Sequence, residues 1–397
     1  MKEQTRPYLI SMELESRNNK LDTIGVTNEK NESSTPSKFN VLDHYEQLIK
    51  QTPMMVIIFA TMALSCLLIF HSSITLPFSG GYTTTNLVAT TNHRPNSLDI
   101  NVGQLRRILK DATMGNKTVI ITSLNDAWAE PQSMFDLLLE SFRIGNQTKR
   151  FLKHLVVVTV DRKAYARCLK LHPHCYHLNG SDFSREADFM TADYLKIVWR
   201  KIKFLGKVLD LGYSFVFTDA DIMWFRDPFS QLDKDTDIQI SCDVFNGNPF
   251  DLRNLPNTGF SYVKSTNKTI QLYKFWYKSR MTYPNLHDQD VFNKIRFHPF
   301  IRDLGIAIRF MDTDYFGGFC QPSRDLNKVC TMHANCCVGL ENKVHDIEIM
   351  LDDWRKYLKS HVNKDEYNAW WTVPQHCRGS LDRPRPPKKK ADEAMKS

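Results

Sequence analysis

The sequence has no face on which Lys and Arg interleave with aromatic residues, no internal repeat and no C-x-x-C pair. The first absence removes the electrostatic footprint expected of a nucleic-acid binder. The third argues against a structural zinc site built from cysteine pairs. Charge is missing altogether from Met54 to Phe70, a run of apolar and small residues between Lys50 and His71. As a helix that run would be about 26 Å long, near the lower end for crossing a bilayer. Some fifty polar residues precede it, so it reads as an uncleaved signal anchor rather than a cleaved signal peptide or a buried core helix.

What is present fits a globular protein with tails: 397 residues, 42% hydrophobic and 24% charged, with a net charge of +8. The basic cluster Arg383–Lys390 reads as a solvated end. The first fifty residues carry seven Lys or Arg whereas residues 72–101 carry Arg94 alone, which places the N-terminus in the cytosol. Glycosylation sequons at Asn116, Asn146, Asn179 and Asn267 follow the anchor, as a lumenal domain requires, and Asn31 lies on the other side. The expected organisation is a disordered tail over 1–53, the anchor over 54–70, a Ser/Thr/Asn-rich stem over 71–101, a globular domain over 102–375 and a basic tail over 376–397. The expected address is the Golgi membrane, single-pass type II, with the globular domain lumenal.

Eight of the nine cysteines lie beyond the anchor, an even number that suggests disulfides. Cys168 with Cys175 and Cys320 with Cys330 would close local loops. A zinc site from Cys336, Cys337 and His333 is the rival, disfavoured because adjacent cysteines lack ligand spacing.

In the globular region, β-branched runs alternate with amphipathic segments. Strands are predicted at 119–123, 155–160, 215–218, 237–242 and 260–263. Helices are predicted at 131–142, 190–211, 270–277, 290–295 and 344–358. This alternation predicts an α/β fold, with a mixed, mostly parallel sheet flanked by helices and a ligand site at the strand carboxyl ends. The apolar run Phe215–Thr218 leads directly into Asp219-Ala-Asp221. Two carboxylates at i and i+2, where a chain leaves its pleat, can converge on one hard cation such as Mn²⁺ or Mg²⁺. That cation would neutralise a diphosphate leaving group.

Five blocks follow one another along the chain: Leu124–Glu130, Gly212–Asp221 with Trp224–Pro228, Asn257–Phe260, Asp288–Asn293 and His333–Gly339. In these blocks, over about residues 102–360, the sequence resembles the plant nucleotide-diphospho-sugar transferases of glycosyltransferase family 77. The resemblance implies a GT-A-like single Rossmann-type domain and a UDP-sugar donor. It also implies a polysaccharide or glycoprotein acceptor, and arabinose, xylose and galactose are all open as the sugar. By the same resemblance Asp219, Asp221 and His333 hold the metal, with Asp219 shared with the ribose. Thr122, Asn125 and Asp126 hold the nucleoside, and a turn at Asn257 and Gly259 lies beside the donor sugar. Asp288 and Gln289 lie under the anomeric carbon of a retaining enzyme, with Asp290 as a further acidic residue whose place at a helix start needs no catalytic role.

Lys201, beside Arg200 and Lys203, either reaches the donor phosphates or sits on a solvated helix face. Trp128, Trp224, Trp370 and Trp371 are open to sugar stacking or to burial. The helix through Val344, Ile347, Leu351, Trp354 and Leu358 has core spacing and calls for no functional role. Two alternatives stand beside the transferase: a non-catalytic lumenal nucleotide-sugar or glycan binder, and a haloacid-dehalogenase-like phosphatase built on the same strand-Asp-x-Asp.

Overall fold

A computed structural model describes residues 101–178, 190–363 and 370–382. The N-terminal tail, the anchor, residues 71–100 of the stem, residues 383–397 of the basic tail and the sequons at Asn31 and Asn179 lie outside the described residues. Among the described residues no helix is long and apolar enough to cross a membrane.

The chain opens with α1 (Val102–Ala112), β1 (Thr118–Leu124), the short α2 (Asp126–Ala129), α3 (Met134–Ile144) and a 3₁₀ turn (Lys149–His154). It continues through β2 (Leu155–Thr159), α4 (Arg162–Leu171), β3 (Cys175–His177) and α5 (Ala192–Asp210) to β4 (Ser214–Thr218) and β5 (Ile222–Trp224). The second half comprises β6 (Ile238–Val244), β7 (Leu255–Val263), α6 (Asn267–Ser279), α7 (Asp288–Ile295) and α8 (Pro299–Asp303). Strands β8 (Ile308–Phe310), β9 (Phe316–Gly318) and β10 (Thr331–His333) follow, then the long α9 (Leu340–Asn363) and α10 (Gln375–Leu381). Helix α3 starts three residues later than its sequence pattern suggests. Gln132 takes a left-handed backbone, and its N–H donates to Asp136 rather than joining a helical ladder. Helix α10 lies past the domain boundary expected at 375.

Seven strands form one sheet in the order β3-β2-β1-β4-β7-β6-β8. The first four are parallel, β7 is antiparallel to both β4 and β6, and β8 is parallel to β6. The chain builds outward from β1 to β3, then crosses back to place β4 on the other side of β1. That reversal opens a crevice at the carboxyl ends of β1 and β4, the position where open α/β sheets bind ligands.

Alternation along the strands explains the layering. Val119, Ile121, Val156, Val158, Phe215 and Phe217 point into one apolar layer with α5, while Ile120, Leu155, Val157 and Val216 point into the other with α3 and α9. Both faces are buried, so the parallel strands are apolar throughout. A small second sheet, β5-β10-β9, carries the chain away from β4 and brings His333 back opposite Ile222.

Among the described residues there are three disulfides, Cys168–Cys175, Cys320–Cys336 and Cys337–Cys377. The first is one of the local loops predicted. The expected pairing of Cys320 with Cys330 is wrong: Cys330 is a buried free thiol, and burial pushes its pKa up to about 12. Left-handed backbone at Cys336 lets the adjacent cysteines reach separate partners, which also rules out their serving as a zinc pair.

Candidate active site

Strand β4 ends at Thr218, and the next residue anchors the site. The Asp219 N–H donates to the Gly259 carbonyl at 2.7 Å, continuing the β4–β7 pairing just past the strand. Asp221 follows at 2% exposure, and antiparallel β10 returns His333 beside it, Nε2 to Oδ1 at 3.2 Å. One ligand atom from each of Asp219, Asp221 and His333 lies within 4.8 Å of the others. Two carboxylates and an imidazole suit a hard or borderline divalent cation such as Mn²⁺ or Mg²⁺. The donor set also keeps open valence. His333 Nδ1 is buried without a hydrogen-bond partner, and no described residue hydrogen-bonds the Asp219 carboxylate.

Gly259 completes the corner. A Cβ there would stand 2.6 Å from Asp219 Oδ2 and 2.7 Å from His333 Cε1, so only a bare backbone fits. The turn expected at Asn257 and Gly259 is instead part of β7, at a register shift between Ile240 and Ser241 of β6. The shift leaves residues 258–260 out of register with β6, between the Ile240–Ser261 and Ser241–Asn257 pairs, while Phe260 pairs with Thr218 of β4 and brings Gly259 beside Asp219. The Asn257 side-chain Oδ1 accepts from the Gly259 N–H at 2.9 Å.

Across Gly259 lies a second acidic group. Asp288, at the first turn of α7, is 2% exposed and paired with Lys201 of α5 at 2.8 Å, with the Thr258 hydroxyl at 3.4 Å. Lys201 is therefore not on a solvated face; its ammonium also lies 5.0 Å from the centre of the Phe217 ring. Neighbouring Arg200 donates to the Leu178 carbonyl, and Lys203 is exposed. Gln289 is spoken for at both ends: its oxygen accepts from the Thr258 N–H at 3.1 Å and its amide donates to Asp243 at 3.1 Å. Asp290 is half-exposed and faces His287.

Electrostatics separates these carboxylates. Burial opposes ionisation of Asp288, but the Lys201 ammonium and His287 outweigh it and hold the acid below its usual range. At Asp221 burial is likewise outweighed by Lys343 and His333. At Asp219 burial, together with the Asp221 charge, prevails over Lys201 and His333, and its pKa is raised.

Thr122 is fully buried at the end of β1 with an unpartnered hydroxyl. Asn125 caps α2 through the Trp128 N–H. Asp126 receives Lys163 at 3.0 Å, and its N–H donates to the buried Asp161. All three lie at the same sheet edge as Asp219, on the far side of the crevice.

Several residues escaped the sequence reading. Lys343, in the first turns of α9, reaches Asp221 at 2.5 Å and lies over the Trp128 ring, so that helix is not core alone. Asp243 gathers three amides, from Asn257 at 2.7 Å, Asn335 at 2.8 Å and Gln289. A lone Asp at the end of β6 carries no local signal of such convergence. Among the tryptophans Trp224 is wholly buried, Trp371 donates to the Ser323 carbonyl and Trp370 is 67% exposed.

The profile of the family described as nucleotide-diphospho-sugar transferase matches residues 150–347. An Arabidopsis thaliana relative, described as Uncharacterized protein At4g15970, is 47% identical over 293 residues, covering 73% of this chain and 77% of that one. The chain belongs to the nucleotide-diphospho-sugar transferase family. It is also 27% identical to the Arabidopsis UDP-D-xylose:L-fucose alpha-1,3-D-xylosyltransferase 3, over 27% of this chain and 32% of that protein. A solved glycosyltransferase involved in glycosylation of the major capsid of PBCV-1 aligns with TM-score 0.36 and 12% identity. That alignment covers 58% of this chain and 98% of the other. The matched span holds Asp219, Asp221, Asn257, Gly259, Asp288, Gln289 and His333; Thr122, Asn125 and Asp126 precede it. Family membership leaves the phosphatase alternative without support.

Proposed function

We propose that this protein transfers a sugar from a UDP-sugar to a polysaccharide or glycoprotein acceptor, with retention of anomeric configuration, on the lumenal side of the Golgi membrane. The observation that carries the reading is the convergence of Asp219, Asp221 and His333 on one point beside a glycine that admits no side chain. Mn²⁺ or Mg²⁺ held there would neutralise the donor diphosphate. Lys343, paired with Asp221 at 2.5 Å, keeps a positive charge at the same place.

The remaining residues position the donor and acceptor. Thr122, Asn125 and Asp126 lie where the nucleoside would enter the crevice, and Gly259, its N–H held by the Asn257 side chain that Asp243 fixes, offers open backbone to the sugar. Asp288 and Gln289 form a preset polar floor beneath the anomeric carbon. Both are already engaged by the chain, so neither is a free general base. The acceptor hydroxyl then attacks on the face the diphosphate leaves, and its proton passes to the departing phosphate oxygen. A UDP-pentose is the first donor to try, since a relative bears UDP-D-xylose in its name.

Purified lumenal protein is offered a panel of UDP-sugars with Mn²⁺, and release of UDP is measured alongside Asp221→Ala. Turnover with one donor that the substitution removes supports the reading. No release from any donor, with UDP still bound by both proteins, would make the chain a nucleotide-sugar binder.

A further inference from the structure

The three sequons among the described residues all fall at one end of the molecule. Asn116 immediately precedes β1, and Asn146 lies between α3 and the 3₁₀ turn that leads into β2. Asn267 opens α6 just after β7, and β7 runs antiparallel, so its last residue Val263 pairs with Phe215 at the start of β4. This is the edge opposite Asp219. All three asparagines are exposed, whereas the buried Asn254, Asn257 and Asn335 stand outside any Asn-x-Ser/Thr triplet.

Asn116 and Asn146 share one local geometry. The middle residue of each triplet, Lys117 or Gln147, has left-handed backbone, with φ of 57° and 61°. That bend turns the asparagine outward while Thr118 and Thr148 are both fully buried. At Asn116 the side-chain oxygen accepts from the Thr118 N–H at 3.2 Å, which directs the amide nitrogen away from the backbone. Beside it lies a cavity of about 410 Å³ floored by Phe151 and Phe229 and edged by Met114, Arg150 and Asp227. Arg150 and Asp227 pair at 2.5 Å across it. Aromatic faces with a charged pair at the rim match the apolar face and hydroxyls of a hexosamine.

We infer that Asn116 and Asn146 carry N-linked glycans at the end opposite Asp219, and that the first sugar on Asn116 lies in this cavity. In the transfer Asn116 Nδ2 bonds to the anomeric carbon of an oligosaccharide carried on a lipid diphosphate. The bond from that carbon to the diphosphate oxygen breaks, its electron pair leaves with the lipid diphosphate, and the amide gives up one proton. The inference rests on the lumenal address of the proposed function and not on its transfer chemistry. Three disulfides fit the oxidising compartment it requires.

The full chain is expressed in plant cells, digested with peptide:N-glycanase in heavy-oxygen water, and its peptides read by mass spectrometry together with the state of Cys337–Cys377. Asn116 and Asn146 are expected to be converted to labelled Asp, and Asn116→Gln is expected to remove one glycan while leaving UDP release unchanged. Native protein should shield the Asn116 glycan from endoglycosidase longer than the Asn146 glycan, with the difference lost on denaturation. Unlabelled Asn116 in protein whose Cys337–Cys377 bond has formed overturns the inference. Unlabelled Asn116 with reduced cysteines overturns it through the address, and UDP release then still reports separately on the transferase. Equal release of the two glycans from native protein overturns the seat.

Discussion

The two acidic corners on either side of Gly259 differ in what the chain has already paired. Asp288 is saturated by Lys201, His287 and Thr258, and Gln289 by Thr258 and Asp243. Asp219 carries no hydrogen bond from a described residue, and His333 keeps a buried nitrogen open. A charge neutralised within the fold is a fixed feature of the site. A charge left unneutralised, at the cost of a raised pKa, is one kept for a ligand. Partly buried Asp219 and fully buried Asp288 thus have opposite roles on the two sides of Gly259.

The largest test of that contrast is Asp221→Asn. Turnover is expected to fall on the order of 100-fold or more, and the rise in melting temperature that Mn²⁺ gives the native protein should disappear. On the saturated side, Asp288→Ala strands the Lys201 ammonium and should cost about 3–5 kcal/mol in urea unfolding. Pairing Asp288→Leu with Lys201→Met should return most of that stability without turnover; turnover regained by the double variant would remove Asp288 from the site.

Gly259→Ala tests the wall between the corners. Its new methyl must push aside Asp219 and His333, costing about 1–3 kcal/mol and weakening Mn²⁺ binding read by electron paramagnetic resonance.

The smallest effect concerns pH. Asp288, lowered in the fold, stabilises above its unfolded range and loses that contribution as pH falls below about 4. Asp219, raised in the fold, has the opposite sign: its contribution is present at low pH and is lost as pH rises through its folded value. Asp219→Asn should therefore raise the melting temperature of metal-free protein at neutral pH by about 2–4 °C. Asp288→Asn should lower it. Melting curves moving the same way for both would erase the distinction.

Much of this was legible along the chain. Unbroken apolar runs in β1, β2 and β4 mark a sheet buried on both faces, and the run into Asp219 marks which edge holds the site. Asp219, Asp221 and His333 were named from their blocks, and the structure gathers them. Asn and Gly favour turns locally, which predicts a turn at Asn257–Gly259; pairing of Asn257 with Ser241 of β6 and of Phe260 with Thr218 of β4 overrides that preference. Cys320 was matched to the nearer Cys330 because sequence distance is a poor guide to partners when a strand and a turn separate them.

By itself the sequence determined the periodicity, and with it the layers, the edge and the types of residue at that edge. Tertiary structure decided which charges are already spent: Lys201 on Asp288, Lys343 on Asp221 and three amides on Asp243. Those pairings join residues 14 to 122 positions apart. Periodicity reports which face a side chain takes on its own element. The neighbour it meets there depends on how other elements pack, and no local pattern encodes that.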